Sequence, residues 1–264
     1  MINSVDSNKN KPSSPRVSII TTTYNAAKWL RESSASVLAQ NYHKIEYIIV
    51  DGGSSDATVE ILNSYSAKIA HVVCEPDEGI YDAMNKGIKL ASGEWLYFLG
   101  ADDMFANDDI LETIFALDLE HYAMVIGDVM RSESGKRYVS HYDWRLVFKN
   151  TMHHQGTFYR RTLFDRFLYD RKSKISGDYE LNLKAFLENC KAKRVHQIIA
   201  RCGDVGVSKQ TLFVGYLEEM RLRRKYILWP ISALLDLATV GRFALKRTLW
   251  PFFAKIKQVC GQRV

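Results

Sequence analysis

Asp102 and Asp103 close the segment Glu94-Trp-Leu-Tyr-Phe-Leu-Gly-Ala101, an apolar run that ends abruptly in two adjacent carboxylates. A buried strand emerging into paired acids offers hard oxygen ligands at the carboxyl edge of a sheet. Mg²⁺ or Mn²⁺ held there would keep open positions for phosphate oxygens, so the pair points to handling of a nucleotide diphosphate. An Asp-Asp turn, or the start of a helix at Asn107, would use the same residue types. Asp51 ends a second apolar run, Ile45-Glu-Tyr-Ile-Ile-Val50, ahead of Gly-Gly-Ser-Ser-Asp56. Asp178, in Ser176-Gly-Asp178, opens a segment whose Tyr179, Leu183, Phe186, Leu187 and Cys190 keep helical spacing. An acid there is stabilised by backbone N–H groups, the arrangement an N-cap also uses.

The elements that position these acids alternate. Strands are predicted over 16–23, 45–50, 69–74 and 95–99, with helices over about 26–40, 58–65 and 79–91 between them. Such alternation implies a parallel, doubly wound sheet, whose ligands sit beyond the carboxyl ends of the strands. Thr23, Asp51 and Asp102 all fall at such ends and should converge on one crevice. In the third helix Ile80, Met84, Ile88 and Ala91 form an apolar stripe. Asp82 lies in its first turn, as a donor-sugar contact or as a helix-dipole partner, while Lys89 reads as solvated charge.

Thr22-Thr-Tyr-Asn25, Val50-Asp-Gly-Gly-Ser-Ser-Asp-Ala-Thr58, Glu75-Pro-Asp-Glu-Gly-Ile-Tyr-Asp-Ala-Met-Asn-Lys-Gly87 and Gly100-Ala-Asp-Asp103 together resemble family 2 glycosyltransferases. The likeness runs from about Arg16 to Val207 and is nearest to bacterial enzymes of exopolysaccharide, O-antigen or colanic-acid-type assembly. It implies a GT-A fold and inverting transfer from a nucleotide sugar, with UDP ahead of GDP. It further implies that Asp51 recognises the nucleobase or ribose, that Thr23, Tyr24 and Asn25 line the same pocket, and that Asp102 ligates the metal bridging the diphosphate. The family's Asp-x-Asp has Gly100 at its first position here, so Asp102 is the direct ligand and Asp103 stands behind it or touches the sugar. Met84 occupies a position where many relatives carry Arg, leaving phosphate charge to Lys86 or the metal.

In Thr151-Met-His-His-Gln-Gly-Thr-Phe-Tyr-Arg160, adjacent histidines of an extended segment face opposite ways. His154 and Gln155 are expected on the diphosphate or acceptor side. By the resemblance, an acid at Asp178 is the general base that deprotonates the acceptor hydroxyl, with Glu180 as rival. Cys202-Gly-Asp-Val-Gly-Val-Ser208 resembles the glycine-rich loop closing the catalytic domain.

The chain has 264 residues, 47% of them hydrophobic, enough for one large α/β domain and an appendage. The expected organisation is a disordered leader (1–14), a GT-A domain (15–210, divided into a nucleotide half 15–105 and an acceptor half 106–210) and amphipathic helices (211–264). The leader has no apolar h-region. Four scattered cysteines form no CxxC pair and read as core thiols of a reducing cytoplasm. Residues 211–264 hold ten Lys or Arg against three Asp or Glu, so the whole chain's net +6 resides in this tail. With Trp229, Trp250, Phe252 and Phe253, and breaks at Pro230 and Pro251, the tail reads as helices lying on the cytoplasmic face of an inner membrane. The apolar stretch 226–235 is half the length needed to span. Such a place suits a saccharide or polyprenyl-diphosphate-linked acceptor. Packing of the tail on the core is the alternative. No nucleic-acid partner is expected, since the aromatics cluster with aliphatic runs. A nicotinamide oxidoreductase would need Gly-x-Gly-x-x-Gly where Thr22-Thr-Tyr-Asn25 stands. A non-catalytic, membrane-associated nucleotide-binding scaffold would not need Asp51, Asp102 and Asp178 together.

Overall fold

The computed structural model describes residues 14–203 and 212–260, with side chains for 14–203 and 214–245. Residues 1–13, the Asp204–Ser208 part of the glycine-rich loop, and the side chains of Trp250, Phe252, Phe253 and Cys260 lie outside the described residues.

Strands β1 (Val17–Thr23), β2 (Ile45–Asp51), β3 (His71–Cys74) and β4 (Trp95–Gly100) are parallel in the order β3-β2-β1-β4. Successive residues alternate between two cores, as a pleated strand requires. Ile19, Tyr47, Ile49, Trp95 and Tyr97 pack beneath α1 (Leu30–Leu38) and α2 (Thr58–Tyr65). Ile20, Ile48, Val50, Leu96 and Phe98 pack beneath α3 (Ile80–Leu90). Both faces are covered, so β1, β2 and β4 are apolar or small nearly throughout. Each fully buried aliphatic side chain here is worth about 1.5–3 kcal/mol. In α3 the expected stripe is turned slightly: Ile80 is 40% exposed, and Tyr81 takes its place beside Met84 and Ile88. Helix α1 starts four residues later than predicted, because Asn25 has a φ of 50°. The chain must leave that left-handed conformation before a helix can begin.

The parallel pattern ends at β4. The second half adds β5 (Met104–Phe105), α4 (Ile110–Phe115), β6 (Met124–Arg131), β7 (Arg137–Tyr138), β8 (Thr157–Arg160), α5 (Gly177–Leu187) and β9 (Ala192–Cys202). β8 runs antiparallel to β4 and to β6, β9 runs parallel to β6, and β5 runs antiparallel to β9. The sheet is therefore mixed and carries helices on both faces. Among its second-half strands β5, β7 and β8 are short and β9 is interrupted by Lys193, Arg194, Gln197 and Arg201, so no long apolar run announces those four.

Helices α6 (Leu212–Tyr226) and α7 (Trp229–Cys260) follow. Leu222 and Tyr226 of α6 pack against Tyr179 and Leu183, so α6 is seated on α5. Arg223 is fully buried and donates to the Phe148 carbonyl at 2.9 Å, Asp236 at 3.1 Å and Thr239 at 2.7 Å, joining α6 to α7. The break expected at Pro251 is absent: α7 runs through it. A proline inside a helix removes one backbone hydrogen bond, a loss that 32 residues of helix absorb, and Pro230 falls in the first turn, where no bond is lost. Among the described residues no helix is long and apolar enough to cross a membrane. The outer face of α7 is bare, with Trp229 78%, Leu234 68% and Leu237 70% exposed.

Candidate active site

Register brings the strand ends together. Thr23 lies opposite Asp51, Thr22 opposite Gly100, and Asp51 opposite Cys74. The strand ends at which a crevice is expected are therefore side by side.

Asp51 sits where expected but is wholly buried. Its Oδ1 accepts from Thr23 Oγ1 at 2.8 Å and Ser54 Oγ at 2.5 Å. Its Oδ2 accepts from the backbone N–H groups of Gly53 at 3.1 Å and Ser54 at 2.8 Å. The carboxylate thus shapes the loop after β2. That loop is stitched to the end of β1, where Asn25 N–H donates to Ser54 Oγ at 2.8 Å and Ser55 N–H to Asn25 Oδ1 at 2.9 Å. Tyr24 projects from this seam, 68% exposed.

The two acids of the pair differ in exposure. Asp103 is 3% exposed and accepts N–H bonds from Gly203 at 2.9 Å and Gly100 at 3.2 Å, with the Gln155 side chain as a further partner. Burial pushes the Asp103 carboxyl up to about 6, and the adjacent Asp102 charge adds to the rise. Asp102 is more open. Two glycines make room for the pair: a Cβ on Gly203 would lie 2.3 Å from Asp102 Oδ2, and one on Gly100 would lie 2.4 Å from Asp103 Oδ2. Among the described residues no third Asp, Glu, His or Cys completes a protein cage. An all-oxygen donor set of two carboxylates, one of them only partly buried, fits Mg²⁺ or Mn²⁺, which take one or two carboxylates and leave room for phosphates.

Asp178 lies in the first turn of α5, part-buried, with Ser176 and not itself at the N-cap. Asn150 Nδ2 donates to its Oδ2 at 2.9 Å. Burial pushes this carboxyl up to about 6, against the downward pull of the Tyr179 N–H and Asn150, with the Glu218 charge adding to the rise. Such a group is ionised at neutral pH yet holds a proton more firmly than an exposed aspartate, the property a general base needs. Glu180 is 2% exposed and receives Lys225 Nζ and Tyr226 OH, each at 2.6 Å. It is turned into α6.

Four other expectations resolve unevenly. Gln155 pulls the Asp103 carboxyl downward, against the effect of burial. His154 does not meet the acid pair: it is 8% exposed, stacks on Phe98 at 4.6 Å between ring centres and bonds Tyr169 OH at 3.0 Å. Burial holds it down to about 3, so it is a neutral core ring. Asp82 accepts from Glu78 N–H at 3.2 Å and faces Lys86 at 3.7 Å and Arg171 at 3.8 Å. Lys86, expected to offer charge to phosphate, is drawn to Glu75 at 2.8 Å and the Pro76 carbonyl at 2.9 Å.

Sequence reasoning missed Asn150, Asp77 and Arg131. Asn150 lies one residue ahead of the polar-aromatic segment that drew notice, and nothing local pairs it with Asp178. Asp77 presses on Gly52, where a Cβ would lie 2.4 Å from its Oδ2. Arg131, at the carboxyl end of β6, donates to the Gly203 carbonyl at 2.5 Å and brings a cation beside the acid pair. A cleft of about 600 Å³ lined by Lys89, Arg161, Phe164 and Arg166 lies at the far end of α3, away from all these acids.

Residues 18–178 match the model of Glycosyl transferase family 2. A PGL/p-HBAD biosynthesis glycosyltransferase of Mycobacterium bovis is 34% identical over 206 residues, which span 75% of this chain and 80% of that protein. An uncharacterized glycosyltransferase of Mycobacterium tuberculosis is 33% identical over 234 residues, 81% of this chain and 86% of that one. In fold the chain is similar to S. aureus TarS 1–349 in complex with UDP-GlcNAc, with a TM-score of 0.70 at 19% identity over 89% of this chain and 75% of that one. It is also similar to the mannosyltransferase PcManGT from Pyrobaculum calidifontis in complex with GDP-Man and Mn²⁺, with a TM-score of 0.62 at 18% identity over 94% and 82%.

Proposed function

The chain belongs to glycosyl transferase family 2, and from that premise we propose that it moves a sugar from a nucleotide diphosphate sugar, UDP before GDP, to a saccharide or lipid-linked acceptor with inversion. The observation that carries this reading is the 150–155 segment, which reaches both ends of the reaction: Asn150 bonds Asp178, and the Gln155 carbonyl accepts at 2.6 Å from Tyr97 of β4, the strand that leads into the acid pair. One short segment thus sets the spacing between a base and a diphosphate-binding acid pair.

Thr23, Tyr24 and Asn25 line the nucleotide side, and Asp51 acts through the Gly53–Ser54 loop it holds. Asp82 stands at the sugar end of this pocket. Asp102 would hold Mg²⁺ or Mn²⁺, with Asp103 behind it; when bound, the cation neutralises the diphosphate leaving group. Asp178 accepts the proton of the acceptor hydroxyl as its oxygen attacks the anomeric carbon from the face opposite the leaving group. No covalent sugar–enzyme intermediate forms. The likeness to complexes with UDP-GlcNAc and with GDP-Man supports a nucleotide-sugar donor. The bare face of α7, with Trp229, Leu234 and Leu237, and the basic tail support attachment to the cytoplasmic surface of an inner membrane. An acceptor of the exopolysaccharide or O-antigen type fits that place.

The test is thermal unfolding with UDP, GDP or NAD, each with and without Mn²⁺, followed by a screen of nucleotide sugars for Mn²⁺-dependent hydrolysis. Protection by UDP that requires Mn²⁺ is expected, together with release of UDP from one sugar nucleotide. Protection by neither nucleotide, with hydrolysis of no donor, would overturn the reading.

A further inference from the structure

We propose that Glu218 of α6 is a positioning residue for the acceptor base, holding in place the chain that carries Asp178; the inference rests on the assignment of Asp178 as that base. A single carboxylate receives three consecutive backbone N–H groups: Lys174 at 2.7 Å on Oε1, then Ile175 at 3.0 Å and Ser176 at 2.9 Å on Oε2. These residues lead directly into α5, and the Ser176 side chain makes no cap bond of its own. The start of the base-bearing helix is therefore capped from another helix. Bonds from N–H groups to an ionised carboxylate are among the stronger hydrogen bonds, and a negative charge is favoured at a helix N-terminus.

The grip has a second point. Glu218, Lys225 and Tyr226 lie seven and eight residues apart, on one face of α6. Lys225 and Tyr226 hold Glu180, two residues after Asp178. Glu218 holds Ile175 and Ser176, three and two residues before it. From the opposite side Tyr81 of α3 donates to the Ile175 carbonyl at 2.6 Å, and its ring lies so close to Gly177 that a Cβ there would come within 2.7 Å. Asp178 is thus suspended between two anchors on α6 and a wall on α3. The family match ends at residue 178, so this support comes from a segment beyond it. Around Asp178 stand Asn150, Tyr81 of α3, Tyr159 of β8, Tyr169 and Glu218; among these only Glu218 brings a full charge.

Loss of the grip lets the first turn of α5 drift, and a misplacement of about 1 Å costs on the order of 10²-fold in rate. The experiment compares Glu218→Gln, Glu218→Asp and Asp178→Asn by kcat, donor KM and the pH profile of kcat between pH 5 and 9. Glu218→Gln should lower kcat roughly 10-fold or more, keep donor KM within about twofold and move the acid limb to lower pH, because a like charge facing Asp178 is gone. Glu218→Asp keeps the charge but falls short of its donors, so kcat should drop with the acid limb in place. A Glu218→Gln enzyme with wild-type kcat, or with a lowered kcat and an acid limb unmoved or moved upward, overturns the proposal. If that variant does not fold, Glu218→Asp decides: wild-type kcat overturns, lowered kcat at constant donor KM supports. Wild-type turnover by Asp178→Asn would instead sink the base assignment itself.

Discussion

Replacing Asn150 with Ala removes a donor that binds the ionised form of Asp178 more strongly than its protonated form. A hydrogen bond to a charged group contributes about 1.5–3 kcal/mol, and Asp178 is open enough for water to recover part of it. A net loss of about 1.4 kcal/mol is one pKa unit. The Asp178 carboxyl, held up to about 6 by burial, should then titrate near 7. Only the ionised form accepts the acceptor's proton, so the acid limb of kcat moves up with it. At pH 6 about half of the wild-type base is ionised against about a tenth in the variant, a fivefold loss. At pH 7 the loss is under twofold, and by pH 9 it vanishes. The assay is kcat against pH from 5 to 9, with donor, acceptor and Mn²⁺ saturating. A midpoint that stays near 6, or falls, refutes the coupling of Asn150 to the base. A deficit equal at every pH would assign Asn150 to acceptor binding.

Asp102→Asn should abolish Mn²⁺-dependent protection by nucleotide and all transfer, while the melting temperature without ligand stays within a few degrees; turnover at limiting Mn²⁺ would dismiss Asp102 as ligand. Gly203→Ala should mimic that loss with every carboxylate retained, because the new methyl falls 2.3 Å from Asp102 Oδ2; undiminished metal-dependent UDP binding would show that the cradle is dispensable. His153 and His154 are held down by burial to about 4 and about 3. Their contribution to stability is complete above about 6.5 and is lost as pH falls toward those values, by about 1.4 kcal/mol per pH unit for each ring. Urea midpoints between pH 7 and 5 should therefore fall more steeply in the wild type than in His154→Leu, and parallel slopes would refute this. Serine at Trp229, Leu234 and Leu237 together should release the protein from anionic vesicles and spare transfer to a soluble acceptor; undiminished sedimentation with vesicles would place the membrane contact elsewhere.

The alternation of apolar runs with helical stripes was enough to read β1, β2 and β4 and the helices around them, because a pleated strand covered on both faces and an amphipathic helix each leave a local period; β3, largely exposed, was legible only as a short run between two helices. Asp51, Asp102 and Asp178 were legible for a related reason. Each follows directly on, or opens, such a periodic segment, so its place at a strand end or helix start is a matter of a few neighbouring residues. What those acids do in place was not local. Asp51 is closed over by Thr23 from another strand, and His154, readable as a ligand, is a core ring because Phe98 and Tyr169 reach it from 56 residues before and 15 after. Asp178 and Glu180 carry the same group two residues apart, and no pattern near them separates the two. Helix α6 does so, by taking Glu180 on Lys225 and Tyr226 and leaving Asp178 beside Asn150. A carboxylate's chemistry is set by the donors and the solvent around it, and the fold alone brings those donors from distant parts of the chain.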